Sequence, residues 1–152
     1  MAEAPHVMIV EARFYEDLAE ELARGAIAEL EKSGASWERF AVPGAFEIPA
    51  AVAFGLRARA GGASGRPFDA FVALGCVIRG ETSHYDLVAG ECARGLQALA
   101  FEQGAALGFG VLTCENREQA WTRASRSAGD KGGEAARASL AMLALKRRLE
   151  QR

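Results

Sequence analysis

The stretch from Leu74 to Asp86, LGCVIRGETSHYD, constrains this chain more than any other. Before it, Phe68–Ile78 is rich in apolar and β-branched residues and reads as a fully buried strand. After it, Ala89–Ala100 carries apolar residues at helical spacing. Gly80 to Ser83 is therefore a tight passage from strand to helix. Ser83, followed three residues later by Asp86, resembles a capping box, which predicts a helix starting at or just after Ser83 with His84 in its first turn. The amides of Gly80, Glu81 and Thr82 then lie at a helix N-terminus, where free N–H groups and the macrodipole both favour an anion. A proton-transferring imidazole and an anion cradle become neighbours. On these residues alone, a simple cap beside a solvated histidine is the plainer reading.

The rest of the chain alternates in the same way. His6–Ala12 (HVMIVEA) reads as a buried first strand ending near Arg13-Phe14. Glu16 to about Ser33 repeats Leu18, Leu22, Ala26 and Leu30 on one face, an amphipathic helix stopped by Gly34. Trp37–Val42 is a second strand closed by Pro43-Gly44. Glu47 to about Ala60 is a second helix, with Pro49 in the first turn where a missing N–H costs little. The glycine-rich segment Gly61–Pro67 precedes a strand and lacks the Gly-Lys-Ser/Thr ending of a phosphate loop, so it is read as a flexible connection. Gly108–Cys114 is a fourth strand, and Asn116 caps a short helix through about Arg126. A glycine-rich turn, Gly129–Gly133, leads into a last helix reaching Leu149. That helix carries two apolar stripes, one of Ala136, Leu140 and Leu143 and one of Met142, Leu145 and Leu149, as a subunit contact or a broad core face would require.

Strands alternating with helices imply right-handed crossovers and a parallel sheet covered on both faces. The expected fold is α/β: a three-layer α/β/α sandwich around a four-stranded parallel sheet, flavodoxin-like, in one domain over residues 1–152. Ligands of such sheets bind beyond the carboxyl ends of the strands. Four turns lie at that edge: Arg13-Phe14, Pro43–Glu47, Arg79–His84 and Cys114–Asn116.

Composition narrows the function classes. The chain has 152 residues, half of them apolar, enough for one core. Its 20 acidic residues against 18 basic leave no basic face for nucleic acid. The one concentrated basic run, Lys146–Arg148 with Arg152, ends the last helix, where it complements the helix dipole. The cysteines Cys76, Cys92 and Cys114 are odd in number, widely spaced and set in apolar patterns, and the only histidines are His6 and His84. No disulfide framework or metal site is indicated, and a reducing cytoplasm fits best. No stretch approaches the ~20 apolar residues of a membrane span.

Several residues at the strand ends carry possible chemistry. Phe46 could stack on a flat heterocycle and Glu47 could bind hydroxyls, although both have bland roles as core and dipole partner. Phe14 and Phe109 are similarly placed, and Arg123 and Lys131 flank the glycine turn as cations near an anion site. An imidazole, with an ordinary pKa of about 6.5, can both give and take protons near neutrality. With no metal and no nucleotide fingerprint, these parts suit condensation chemistry on a phosphorylated small molecule without a cofactor.

The segments VPGAFEIPAAV (Val42–Val52), ALGCVIRGETSHYD (Ala73–Asp86), FGVLTCENREQAWTRA (Phe109–Ala124) and GDKGG (Gly129–Gly133), with ARFY at Ala12–Tyr15, closely resemble the 6,7-dimethyl-8-ribityllumazine synthase family. The likeness implies a transferase of riboflavin biosynthesis. It would join 5-amino-6-(D-ribitylamino)uracil to 3,4-dihydroxy-2-butanone 4-phosphate, giving the lumazine, phosphate and water. It further implies that Phe14 stacks on the pyrimidine, that Ala45, Phe46 and Glu47 line the ribitylaminouracil site, and that Cys76, Val77 and Ile78 hold the pyrimidine through backbone groups. Glu81 and Thr82 would belong to the phosphate loop, with the Glu81 side chain turned to solvent, and Arg123 would pair with the phosphate. Phe109 and Lys131 would complete the pocket, and His84 would be the general acid/base. Members assemble as pentameric rings, some paired or closed into shells, with the pocket between adjacent subunits. A carrier of flavin or lumazine on the same fold, and a flavodoxin-like FMN domain, are the competing classes. The loop after the first strand lacks the Ser/Thr-rich phosphate cradle that the FMN reading needs.

Overall fold

The computed structural model describes residues 3–58 and 62–150. Along the chain it runs β1 (His6–Ala12), α1 (Glu16–Lys32), β2 (Ser36–Val42), a 3₁₀ turn (Ala45–Glu47), α2 (Ile48–Arg57), β3 (Ala70–Ile78), α3 (His84–Gln103), β4 (Leu107–Cys114), α4 (Arg117–Ala124) and α5 (Lys131–Glu150). All strand pairs are parallel, in the order β2-β1-β3-β4. The result is the three-layer, flavodoxin-like sandwich that the alternation implies. Every carboxyl strand end lies at one edge, and the order reverses between β1 and β3, the switch point where such sheets open a crevice.

The inner strands explain themselves by burial. Every residue of β1 and the first seven of β3 are buried, so neither needs polar alternation. One face, carrying Val7, Ile9, Val72 and Leu74, packs under α1, α4 and α5 through Leu18, Leu22, Ala26 and Ala136. The other, carrying Met8, Val10, Phe71 and Ala73, packs under α2 and α3 through Ile48, Val52, Cys92 and Leu96. Each large aliphatic side chain so enclosed contributes about 1.5–3 kcal/mol. Among the described residues no helix is long and apolar enough to cross a membrane.

Several boundaries move for identifiable reasons. β3 begins at Ala70 rather than Phe68, because the Phe68 ring turns to stack on His6 at 5.2 Å and Asp69 Oδ2 accepts the His6 amide at 2.9 Å. The second helix ends at Arg57; the expected end near Ala60, like Gly61 and Arg152, lies outside the described residues. The described part of the glycine-rich connection is pinned. Glu38 accepts the Ala63 amide at 2.8 Å, and Ser64 Oγ lies 2.9 Å from Nε2 of the buried His6. Burial works to raise the Glu38 carboxyl, but the donors His6, Ala63 and Ser64 outweigh it and hold it below its ordinary value.

The largest departure concerns GDKGG. Lys131, Gly132 and Gly133 are not a turn but the first turn of α5. A Cβ at Gly132 would sit 2.0 Å from the Leu22 carbonyl oxygen, so this glycine lets α5 lie directly against α1. The turn itself falls on Asp130, at φ +46°. The basic run at the end of α5 also acts elsewhere than on its own helix. Lys146 Nζ donates to the Gly104 carbonyl at 2.8 Å, closing the C-terminus of α3, and Arg147 donates to the Glu3 carbonyl at 3.1 Å. Of the two stripes on α5, Ala136 and Leu143 enter the core, while Met142, Leu145 and Leu149 are exposed.

Candidate functional site

At the switch point a pocket of about 640 Å³ opens between β1, β3, the β2–α2 turn and α3. The volume is in the range of small-molecule sites. Its walls are Phe14 and Tyr15 from the β1–α1 turn, Pro43 to Glu47 from the β2–α2 turn, Cys76 to Ile78 from the end of β3, and His84, Leu87 and Val88 from α3. Eight expected site residues thus share one cavity: Phe14, Ala45, Phe46, Glu47, Cys76, Val77, Ile78 and His84.

The pocket floor follows from register. β1 pairs with β3 only as far as Glu11 opposite Leu74, whereas β3 continues beside β4 to Ile78. Four residues of β3 therefore run past their last β1 partner. Along that overhang alternate backbone N–H and C=O groups face the crevice, a ladder edge ready for a planar ligand with its own donors and acceptors. The Phe14 and Phe46 rings stand at the mouth, 74% and 58% exposed, so neither is core.

α3 starts at His84, as expected, but by a different cap. Ser83 makes no side-chain cap bond; instead Thr82 Oγ1 accepts the His84 amide at 3.3 Å, doing one residue earlier what the Ser83–Asp86 pair was read to do. The His84 ring nitrogens engage no protein partner among the described residues, and the ring borders the cavity. Nor does any described residue accept the amides of Gly80, Glu81 and Thr82. Glu81 is exposed and forms no ion pair among the described residues, leaving the loop amides clear of its carboxylate. Arg79 fastens this loop to its neighbours. Its Nε donates to Glu115 Oε2 at 3.0 Å, its Nη1 lies 3.5 Å from Asp86 Oδ1, and its guanidinium stacks 4.2 Å from the Tyr85 ring centroid.

Burial pushes the Cys76 thiol up to about 12, and the neighbouring Cys114 works in the same direction, so the protonated form is favoured and Cys76 bounds the pocket as a small neutral group.

Five expected residues are off the pocket lining: Glu81 and Thr82, on the exposed loop just before α3, and Phe109, Arg123 and Lys131, which stand farther apart. Phe109 lies on β4 five positions before the strand end, roughly 16 Å from the crevice edge at about 3.3 Å per residue. It lines a smaller depression of about 380 Å³ with Ala93, Leu96, Gln97, Ala100 and Leu107. Arg123 is exposed on α4, donating to the Gln119 carbonyl at 3.1 Å and to no carboxylate among the described residues. Lys131, at the start of α5, pairs with Glu134 at 3.1 Å. Conversely, Tyr15, Leu87 and Val88 border the pocket without having been expected there. The signal existed for the last two: they follow His84 by three and four positions, the spacing of one helix face.

The lining offers stacking, backbone pairing, a carboxylate for hydroxyls and one imidazole. Among the described residues no cluster of three or more His, Cys, Asp or Glu side chains could hold a metal. A family model described as 6,7-dimethyl-8-ribityllumazine synthase matches residues 4–147. The 6,7-dimethyl-8-ribityllumazine synthase 1 of Rhizobium meliloti is 56% identical over 144 residues, 95% of this chain and 93% of that protein. The synthase 1 of Mesorhizobium japonicum is 52% identical over 97% of this chain and 88% of its own length. The synthase of Agrobacterium fabrum is 52% identical over 95% of this chain and 97% of its own length.

Proposed function

The chain belongs to the 6,7-dimethyl-8-ribityllumazine synthase family and is an enzyme of that kind, and from that premise we propose that its switch-point crevice performs the condensation itself. In this reading, 5-amino-6-(D-ribitylamino)uracil and 3,4-dihydroxy-2-butanone 4-phosphate become 6,7-dimethyl-8-ribityllumazine, inorganic phosphate and water, a step of riboflavin biosynthesis in the cytoplasm. The observation that carries it is the meeting of His84, two mouth aromatics and the β3 overhang, open on its β1 side, in one cavity. The pyrimidine lies on Phe14 with its edge on the backbone of Cys76, Val77 and Ile78. Its ribityl chain runs past Ala45 and Phe46 to Glu47. The phosphate meets the amides around Glu81 and Thr82 at the start of α3, where charge and donors suit it.

The chemistry is a sequence of proton movements. The amine of the pyrimidine attacks the butanone carbonyl, and the carbinolamine loses water to give an imine. Phosphate is eliminated, and the second nitrogen closes the ring with loss of a further water. His84 takes and returns protons along this course, and holding both substrates in one cavity supplies the rest of the acceleration.

Phe109, Arg123 and Lys131 enter through assembly. A pentamer-based ring would set a neighbour's Phe109, Arg123 and Lys131 against this crevice, with Arg123 on the phosphate. The exposure of Phe109 and Arg123 away from the pocket and the uncovered Met142, Leu145 and Leu149 stripe support that arrangement. Purified protein mixed with the two substrates is expected to develop lumazine fluorescence and release one phosphate per product. Binding of the lumazine without its formation would overturn the reading in favour of a carrier.

A further inference from the structure

Glu11 is an acid in the middle of an apolar strand, 2% exposed, and the condensation gives it no role. It is far from unpartnered. Arg39 of β2 grips it with two donors, Nε to Oε2 at 2.6 Å and Nη2 to Oε1 at 2.9 Å, and Arg13 Nη1 reaches Oε1 at 2.6 Å. Glu20 of α1 closes the ring from the other side, accepting from Arg39 at 3.1 Å and from Arg13 at 3.4 Å. The Arg39 guanidinium, with help from Arg13 and Arg24, holds the Glu20 carboxyl below its ordinary value. Four pieces of chain meet here: the end of β1, the turn after it, the start of α1 and the edge strand.

We propose that Glu11 is a positioning residue for the Phe14 ring, acting through Arg13. Phe14 follows Arg13 directly and is 74% exposed, and among the described residues its one aromatic neighbour is Tyr15, edge-on at 4.9 Å. Within one chain, packing does not hold that ring. Its aim is inherited from the backbone between Ala12 and Tyr15, which the Arg13 amide ties to the Val42 carbonyl at 3.4 Å and the Tyr15 carbonyl ties to the Ala19 amide at 2.9 Å. To this the Arg13 side chain adds its tether to Glu11. The β1–β2 pairing needs no such device, because the ladder already runs from His6 opposite Ser36 to Ala12 opposite Val42. Burying the Glu11 carboxylate is also a costly way to join strands, since an apolar group of similar volume does that as well. The Arg39 fork fixes the direction of the Glu11 carboxylate, which then presents Oε1 to the single donor Arg13 Nη1.

The inference rests on Phe14 stacking on the pyrimidine, and a double-mutant cycle separates the two. Arg13→Met leaves the Glu11–Arg39 fork in place and cuts the tether to the turn; Glu11→Gln weakens both. Each is expected to raise the KM for the pyrimidine about tenfold, below the ~10²-fold cost of a full 1 Å misplacement, with kcat within about twofold. Both increases are expected to vanish in a Phe14→Ala background, and Arg13→Lys is expected to recover most of the loss. An effect that persists in full without the Phe14 ring, or a lower melting temperature with KM unchanged, overturns the inference alone. If Phe14→Ala itself leaves the pyrimidine KM unchanged, the stacking role fails and the inference falls with it.

Discussion

His84 borders the cavity, and among the described residues no protein group partners its ring, which leaves it open to a bound molecule. His84→Ala is expected to lower kcat by ~10²–10⁴ while keeping measurable turnover in a steady-state fluorescence assay, because the binding walls survive. A variant as fast as the parent would remove the imidazole from the reaction. At this scale sequence places Phe14, Phe46, Glu47 and His84 in turns at the carboxyl edge, and the structure gathers all four around one pocket. Sequence is read poorly where the role depends on a distant partner. Glu11 looks like an interruption in an apolar run, and only the fold brings Arg39 to it from 28 positions away. The Ser83–Asp86 pair was a plausible cap, yet the hydroxyl of Thr82 took that place.

Elements were legible because each has one dominant signal. The Leu18, Leu22, Ala26 and Leu30 spacing marks α1, Gly34 at φ +77° ends it, and Asn116 Oδ1 accepts the Gln119 amide at 2.9 Å to start α4. GDKGG misled because glycine serves two purposes that sequence alone does not separate, turning the chain and letting two backbones touch. The second applies at Gly132. Gly132→Ala is expected to destabilise the fold by about 1–3 kcal/mol, since the new methyl meets the Leu22 backbone rather than a yielding side chain. Denaturant unfolding would show it as a lower midpoint at unchanged slope. An unaffected midpoint would mean that α5 can slide on α1.

For the whole molecule, alternation gave parallel strands and two covered faces, but the order β2-β1-β3-β4, and with it the place of the crevice, came only from the structure. Phe109, Arg123 and Lys131 show the same gap: sequence likeness groups them with the pocket, and one chain does not. If a neighbouring subunit supplies them, coexpressed His84→Ala and Arg123→Ala chains should recover activity in the assembly that neither has alone. No recovery in mixed assemblies would refute a shared site. Stability should also fall on the alkaline side. Burial pushes the Cys76 thiol from 9.0 up to about 12 and the Cys92 thiol up to about 11, so the native chain keeps protons that the unfolded chain releases above pH 9. The stability tied to these thiols is complete below pH 9. It is lost between pH 9 and about pH 11 to 12, at roughly 1.4 kcal/mol per pH unit for each. Cys92→Ala should start from a lower stability and decline less steeply over that range; an identical slope would contradict the assignment. The open mouth has a thermodynamic corollary. Two phenyl faces that stand in water, Phe14 and Phe46, would surrender their hydration to a pyrimidine on the first and a ribityl chain along the second. The association should therefore carry a negative heat-capacity change, its enthalpy growing more favourable as the temperature rises.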